Sequence, residues 1–88
     1  RGRNDAAARS LMRALYLDPD FVLAHFALGN LRLSQNRQRD AERHFDIAQA
    51  LLRAQPRDEV LAESDGLTAG RLVEIIESVR ASLQALSA

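Results

Sequence analysis

The sequence superposes on itself when it is shifted by 34 residues. Small residues then meet small ones, and large apolar residues meet large ones. The matched pairs are Arg3 with Arg37, Ala7 with Ala41, Arg9 with Arg43, Leu11 with Phe45, Ala14 with Ala48 and Leu17 with Leu51. Small side chains let two helix backbones approach, and the larger side chain between them fills the gap. Self-similarity at this period predicts a stacked helical repeat.

Composition and apolar spacing both predict an all-α fold. Alanine (15) and leucine (14) make up a third of the chain, whereas Val, Ile and Thr together number eight, which favours helices over strands. Four helices are expected: from about Asn4 to Leu17, from the cap-like Asp18-Pro19-Asp20 to Ser34, from a polar turn at 35–39 to about Ala54, and from a start between Asp65 and Thr68 to the end.

The spacing of apolar residues at three and four predicts the buried side of each helix. The apolar residues at this spacing are Ala7, Leu11, Ala14 and Leu15 in the first helix; Leu23, Ala24, Phe26, Ala27, Leu28, Leu31 and Leu33 in the second; Ala41, Phe45, Ala48, Leu51 and Leu52 on the inner side of the third; and Leu72, Ile76, Val79, Leu83 and Leu86 in the last. The last of these stripes packs on the preceding helices or forms a short dimer seam. In the polar connector, Val60 and Leu61 are expected to hold the segment to the body, and Gly66 supplies a permissive backbone.

Charge and residue chemistry exclude several functional classes. The formal net charge is zero and there is no cysteine, so we expect no nucleic-acid binding and no thiolate chemistry. No run of apolar residues approaches the ~18 that a membrane span needs, so we expect no membrane insertion. No metal site is expected, because His25 and His44 lie on different predicted helices without an acidic partner at metal spacing. The serines lack a His–acid framework, and neither strands nor a glycine-rich loop is present to bind a cofactor. We therefore expect no enzyme activity and no metal or cofactor in this chain.

The marker positions of the repeat resemble those of the tetratricopeptide repeat (TPR), a helix-turn-helix unit. They are Leu28-Gly29, Ala41, Phe45 and Ala48, with Pro19 closing a preceding unit; the departures are His25, Arg32, Asn36 and Arg53. The resemblance implies the second helix of an incomplete repeat at 1–19, one full repeat at 20–55, a connector at 56–66 and a C-terminal capping helix at 67–88. Because the chain opens with Arg1 inside a helical pattern, we expect it to be a piece of a longer protein.

Three stretches also resemble the C-terminal repeat region of chemoreceptor (CheR-type) methyltransferases, including those of biofilm signalling. They are ALYLDPD at 14–20, AHFALGN at 24–30 and, most distinctively, ESDGLTAGRL at 63–72. The resemblance implies a cytoplasmic parent enzyme that methylates receptor glutamates with S-adenosylmethionine, in a catalytic domain outside this sequence. It also implies a protein partner, either a chemosensory signalling protein or the parent's own catalytic domain.

Two surfaces are candidates for binding. Transferred by position from the repeat family, a partner groove would be lined by Leu23, Phe26, Asn30, Leu33 and Ser34. An extra apolar stripe, formed by Ala8, Met12, Leu15 and Tyr16, predicts self-association through Met12 and Tyr16. The alternative to a docking module is a structural or oligomerisation segment without an external ligand. Arg37, Arg39 and Arg43 alternate with Asp40, Glu42 and Asp46 and are interpreted as a solvated mixed-charge face.

Overall fold

Residues 2–87 form four α-helices and no β-strand in the computed structural model, which describes that part of the chain. The helices are α1 (Gly2–Leu17), α2 (Val22–Ser34), α3 (Gln38–Arg53) and α4 (Ala69–Ser87). The predicted all-α fold with four helices is therefore confirmed over these residues. The chain divides into two compact units, one ending at Ala48 and the other beginning at Gln49, so that the boundary falls within α3.

The first unit is built on close approach between helices. Helix α1 packs against α2, and α2 meets α3 where Gly29 faces the ring of Phe45. A Cβ atom at position 29 would collide with ring atoms of Phe45, so only glycine lets the large side chain fill this space. The buried apolar residues of the unit are Ala8, Val22, Ala24, Leu28, Ala41, Phe45 and Ala48.

The face that α1 buries differs by one residue from the predicted one. Ala8 is 6% exposed, whereas Ala7 is exposed, and Leu11, Ala14 and Leu15 are partly exposed. The expectation that Ala7 lies inside and Ala8 outside was wrong. Alanines occupy three successive positions here, so the apolar pattern does not distinguish them, and the packing on α2 selects one.

The turn between α1 and α2 corrects the predicted start of α2. The Asp18 side chain accepts a hydrogen bond from the Asp20 N–H (3.2 Å), and the Asp18 carbonyl accepts one from the Phe21 N–H (3.1 Å). Asp18 therefore stabilises a turn rather than capping the helix. Helix α2 begins at Val22, and its N-cap residue, Phe21, makes no side-chain capping bond. Pro19 lies in the turn and not in the first helical position.

The turn between α2 and α3 is a Schellman motif in which Asn36 takes the place usual for glycine. The Asn36 N–H donates to the Leu33 carbonyl (3.0 Å) and the Arg37 N–H donates to the Arg32 carbonyl (2.9 Å). Asn36 has a left-handed φ of 59°, which asparagine tolerates better than most residues. Helix α3 then begins at Gln38, within the segment 35–39 that was expected to be a turn.

In the second unit, buried apolar side chains come from the end of α3, from the connector and from α4. They are Leu52, Leu61, Ala69, Leu72 and Ile76. The predicted stripe on α4 is buried at its start, where Leu72 and Ile76 are 0% exposed. Val79 and Leu83 are partly exposed, and Leu86 is 84% exposed. The inclusion of Leu86 among the inner residues was therefore wrong.

The connector before α4 is an ordered loop that folds back on the start of that helix. Its backbone bonds join Leu61 to Leu67 (N–H to carbonyl, 2.8 Å) and Gly70 to Arg57 (N–H to carbonyl, 2.8 Å). Gly66 has a φ of 93°, as expected for a permissive backbone. Thr68 caps α4, since its hydroxyl accepts a hydrogen bond from the Arg71 N–H (3.2 Å).

Of the two apolar residues expected to hold this loop, one is buried. Leu61 is 5% exposed, whereas Val60 is 56% exposed. Val60 contributes through its backbone instead, in an isolated antiparallel bridge with Thr68. The loop is thus held by the Leu61 side chain, by main-chain hydrogen bonds and by the Ser64 hydroxyl, which accepts a bond from the Leu67 N–H (3.1 Å). The expectation for the Val60 side chain was wrong.

Candidate functional site

The candidate groove residues lie along one side of α2. The side chains of Leu23, Phe26 and Leu33 are partly exposed, while those of Asn30 and Ser34 are exposed. Other positions of the same helix are buried, with Ala24 at 1% and Leu28 at 0% exposure. The five groove residues therefore share the accessible side of an amphipathic helix whose other side is in the core.

Phe26 and Ser34 are held by local contacts. The Phe26 ring lies 6.2 Å from the Phe45 ring, centroid to centroid, with 45° between the planes, a tilted arrangement that aromatic pairs favour. The Ser34 hydroxyl donates to the Leu31 carbonyl (2.6 Å). A change at Phe26 would therefore disturb the core as well as the accessible face, whereas Asn30 is exposed and offers a cleaner site for mutation.

The structure brings His25 of α2 and His44 of α3 into contact, which sequence reasoning missed. Their Nδ1 atoms are 3.4 Å apart and their ring centroids 5.7 Å apart. His25 is buried at 7% exposure, and its Nε2 lies 2.9 Å from the Pro19 carbonyl oxygen. The signal available in the sequence was that both residues belong to one helical hairpin, where residues of the two helices face each other.

These contacts determine which ring nitrogens carry protons when both histidines are neutral. A carbonyl oxygen accepts hydrogen bonds only, so His25 must carry its proton on Nε2 to bond Pro19. Its Nδ1 is then an acceptor, and His44 must donate from its own Nδ1. The pair links the turn before α2 to α3 through one continuous hydrogen-bonded chain. If both rings were cationic, each Nδ1 would carry a proton, and the hydrogen bond between the two histidines would be lost.

A pocket of about 190 Å³ beside this pair is lined by Arg32, Arg37, Asp40, Arg43 and His44. Asp40 forms ion pairs with Arg37 (2.6 Å) and Arg43 (3.8 Å). Arg39, which the sequence grouped with these arginines, does not line the pocket. Two of the three arginines of the segment interpreted as a solvated mixed-charge face thus join Arg32 of α2 around a concave site.

The surroundings of His44 favour its neutral form. Burial lowers the pKa of His44 below its ordinary value of 6.5, and the positive charges of His25, Arg32 and Arg43 lower that pKa further. Asp40 acts in the opposite direction and raises it. The pocket is therefore a positively charged environment in which an additional proton is disfavoured.

We predict that acidification below pH 6.5 destabilises the fold through His44. The unfolded chain takes up a proton near the ordinary pKa of 6.5, whereas the folded chain does so at lower pH. More protons are then bound in the unfolded state, so the free energy of unfolding falls as the pH decreases from 6.5 through the folded-state pKa. Thermal unfolding monitored by circular dichroism across this range measures the slope.

The control for this pH dependence is His44→Gln, which should flatten the slope in that window. Asp40→Asn should steepen it, since it removes the group that raises the pKa of His44. An unchanged slope in His44→Gln would show that other groups cause the acid sensitivity.

The proposed association surface on α1 is partly present. Met12 is 54% and Tyr16 86% exposed, and Leu17 beside them is 76% exposed. Ala8, which was assigned to the same stripe, is buried. The Met12 sulfur lies 3.7 Å from Nη2 of Arg32, so Met12 also takes part in a contact with α2. Tyr16 and Leu17 are the more accessible part of this surface.

We predict that the chain self-associates through Tyr16 and Met12. Exposed apolar side chains in adjacent turns tend to be covered by another protein surface. Sedimentation velocity should show a concentration-dependent increase in mass for the wild type, and the Met12→Glu/Tyr16→Glu variant should remain monomeric with its helicity retained. Leu86→Glu is the matched control, because it changes an exposed apolar residue of α4 to the same acidic residue. It should associate like the wild type. A wild type that stays monomeric at high concentration would refute the prediction.

No protein-family model, curated protein or solved structure matches this chain. The repeat and both family resemblances therefore rest on the residues quoted for them. Among the described residues, no group of three or more His, Cys, Asp or Glu side chains is placed to hold a metal ion. None of the helices in residues 2–87 combines the length and apolar character needed to cross a bilayer.

Proposed function

We propose that this chain is a protein-interaction module built on a TPR-like helical hairpin. The observation that supports the proposal most is the accessible side of α2. Leu23, Phe26 and Leu33 are partly exposed there and Asn30 is exposed, on a helix whose opposite side contributes Ala24 and Leu28 to the core. Apolar side chains around an exposed amide suit a partner helix or extended segment, which needs apolar contact and a backbone hydrogen bond.

The hairpin itself supports the repeat part of the proposal. The three small-large-small positions of α3, Ala41, Phe45 and Ala48, are each 0% exposed. Gly29 admits the Phe45 ring, and Asn36 takes a left-handed conformation in the turn. These are the roles that the repeat family assigns to its small, large and turn residues.

The resemblance to CheR-type proteins supports the proposal that the module belongs to a chemoreceptor glutamate methyltransferase of bacterial chemosensory or biofilm signalling. In this proposal the module is cytoplasmic, and it docks a signalling partner or positions the catalytic domain. The resemblance implies that S-adenosylmethionine is bound by a catalytic domain outside this sequence. The proposal therefore assigns the cofactor and methyl transfer to another part of the parent protein.

Affinity capture from a lysate of the source organism, with mass spectrometric identification, tests this function. The wild type is compared with Asn30→Arg, which places a positive charge on the accessible side of α2. The control is Gln84→Arg, which introduces the same charge at an exposed position of α4. The wild type and Gln84→Arg should retain the same chemosensory protein or methyltransferase domain, and Asn30→Arg should lose it. Equal capture by all three would refute the assignment of this face.

A structural or oligomerisation segment is the second candidate function. The observation that favours it is the exposed apolar group on α1, formed by Met12, Tyr16 and Leu17. Self-association that is abolished by Met12→Glu/Tyr16→Glu, together with no partner captured through Asn30, would favour this candidate over the docking module.

A further inference from the structure

We propose that the pocket lined by Arg32, Arg37, Asp40, Arg43 and His44 binds a phosphate group, a function beyond the protein interaction proposed above. Its lining residues carry three guanidinium groups and one carboxylate. The whole chain has a formal net charge of zero, so this positive excess is local to the turn between α2 and α3. The pocket shares no residue with the candidate groove.

Each of the three arginines has a polar contact that favours an orientation toward the pocket in the absence of a ligand. Asp40 pairs with Arg37 at 2.6 Å and with Arg43 at 3.8 Å. Arg32 is held at both terminal nitrogens, by Oε1 of Gln35 (3.0 Å) and by the sulfur of Met12 (3.7 Å). Guanidinium groups that are already oriented lose less side-chain freedom on binding, and their planar forks suit the oxygens of a phosphate.

The size and polarity of the pocket agree with a small oxyanion. Its volume is about 190 Å³, and each residue that lines it is polar or charged. A metal cation is disfavoured because three positive side chains face the same space. A phosphate at neutral pH carries a charge of about −1.5 to −2, which complements the excess of guanidinium groups.

His44 couples this site to pH. The charged and titratable groups that act on it are His25 on α2, Arg32 at the end of α2, and Asp40 and Arg43 on α3. A bound dianion adds a negative charge beside the ring and should raise the pKa of His44. By reciprocity, protonation of His44 should then tighten anion binding.

Nuclear magnetic resonance titration of the intact chain at constant ionic strength tests the site. Inorganic phosphate should produce saturable shifts at the backbone amides of Arg37, Asp40 and Arg43, and acetate should produce much weaker ones. Arg43→Gln should weaken phosphate binding by about tenfold or more. Arg39→Gln, the same change on an exposed arginine of the same helix outside the pocket, should bind like the wild type.

Sulfate, which stays a dianion across the pH range, supplies a second measurement. Its affinity should rise as the pH falls through the titration of His44, and His44→Gln should abolish that rise. A phosphoserine peptide that binds more tightly than inorganic phosphate would identify a phosphorylated protein as the source of the group. Equal affinity would identify a small phosphate-containing ligand.

Two results would overturn the proposal. One is the absence of saturable shifts with both phosphate and sulfate. The other is equal weakening by Arg43→Gln and Arg39→Gln, which would indicate general charge screening rather than a site. Neither result bears on the groove, because the capture experiment depends on Asn30 and this one on the arginines.

Discussion

Phe45→Ala is expected to lower the free energy of unfolding by about 3–5 kcal/mol. The Phe45 side chain is 0% exposed, it fills the space that Gly29 leaves open, and it contacts the Phe26 ring at 6.2 Å between centroids. Its removal loses apolar burial and an aromatic contact, and leaves a cavity at the point where α2 and α3 approach. The total stability of a domain is about 5–15 kcal/mol, so this loss would be a large part of it.

Urea unfolding followed by far-ultraviolet circular dichroism measures the effect. Ile47→Ala, two residues away on the same helix, is the matched control, because Ile47 is 39% exposed. We expect that control to lose about 1 kcal/mol or less, since surface substitutions away from special features have small effects. Equal losses in the two variants would mean that Phe45 is not the residue that holds the hairpin together.

Ile76→Ala is expected to cost about 2–5 kcal/mol in the second unit. Ile76 is 0% exposed, as is Leu72 one turn earlier on α4. Truncation of the Ile76 side chain removes apolar surface from the buried end of this helix and leaves a cavity, which the neighbouring side chains refill only partly.

Leu86→Ala on the same helix is the control for Ile76→Ala, because Leu86 is 84% exposed. Thermal and urea unfolding should show a marked loss for Ile76→Ala and almost none for Leu86→Ala. If instead Leu86→Ala is the more damaging change, α4 buries its C-terminal end in solution, as a dimer seam would require.

The positions of the helices were largely predictable because local chemistry decides them. Ala41, Phe45 and Ala48 are separated by four and three residues, so they lie on one side of any α-helix. All three are buried. The left-handed backbone at Gly66 likewise follows from the residue type. The start of α2 was mispredicted, because the Asp18 side chain can accept a bond within a turn as readily as at a helix cap, and the turn prevails.

That the five candidate groove residues share one side of α2 was predictable, since they belong to one helix and periodicity alone groups them. The arginine pocket was not, because Arg32 comes from α2 while Arg37 and Arg43 come from the next segment. Sequence spacing grouped Arg37 and Arg43 with Arg39, which lies outside the pocket. Only the folding of the hairpin brings Arg32 to the pocket and leaves Arg39 outside it.

The sequence by itself determined the helical class, the four helices and the buried side of α3, because these depend on periodicity and on interactions within a few residues. The tertiary structure decided which neighbour each side meets. It placed His25 against His44 (3.4 Å between Nδ1 atoms), and it buried Ala8 rather than Ala7. Both outcomes depend on how separate helices approach each other, and between α2 and α3 the missing Cβ atom of Gly29 leaves the room that the Phe45 ring occupies.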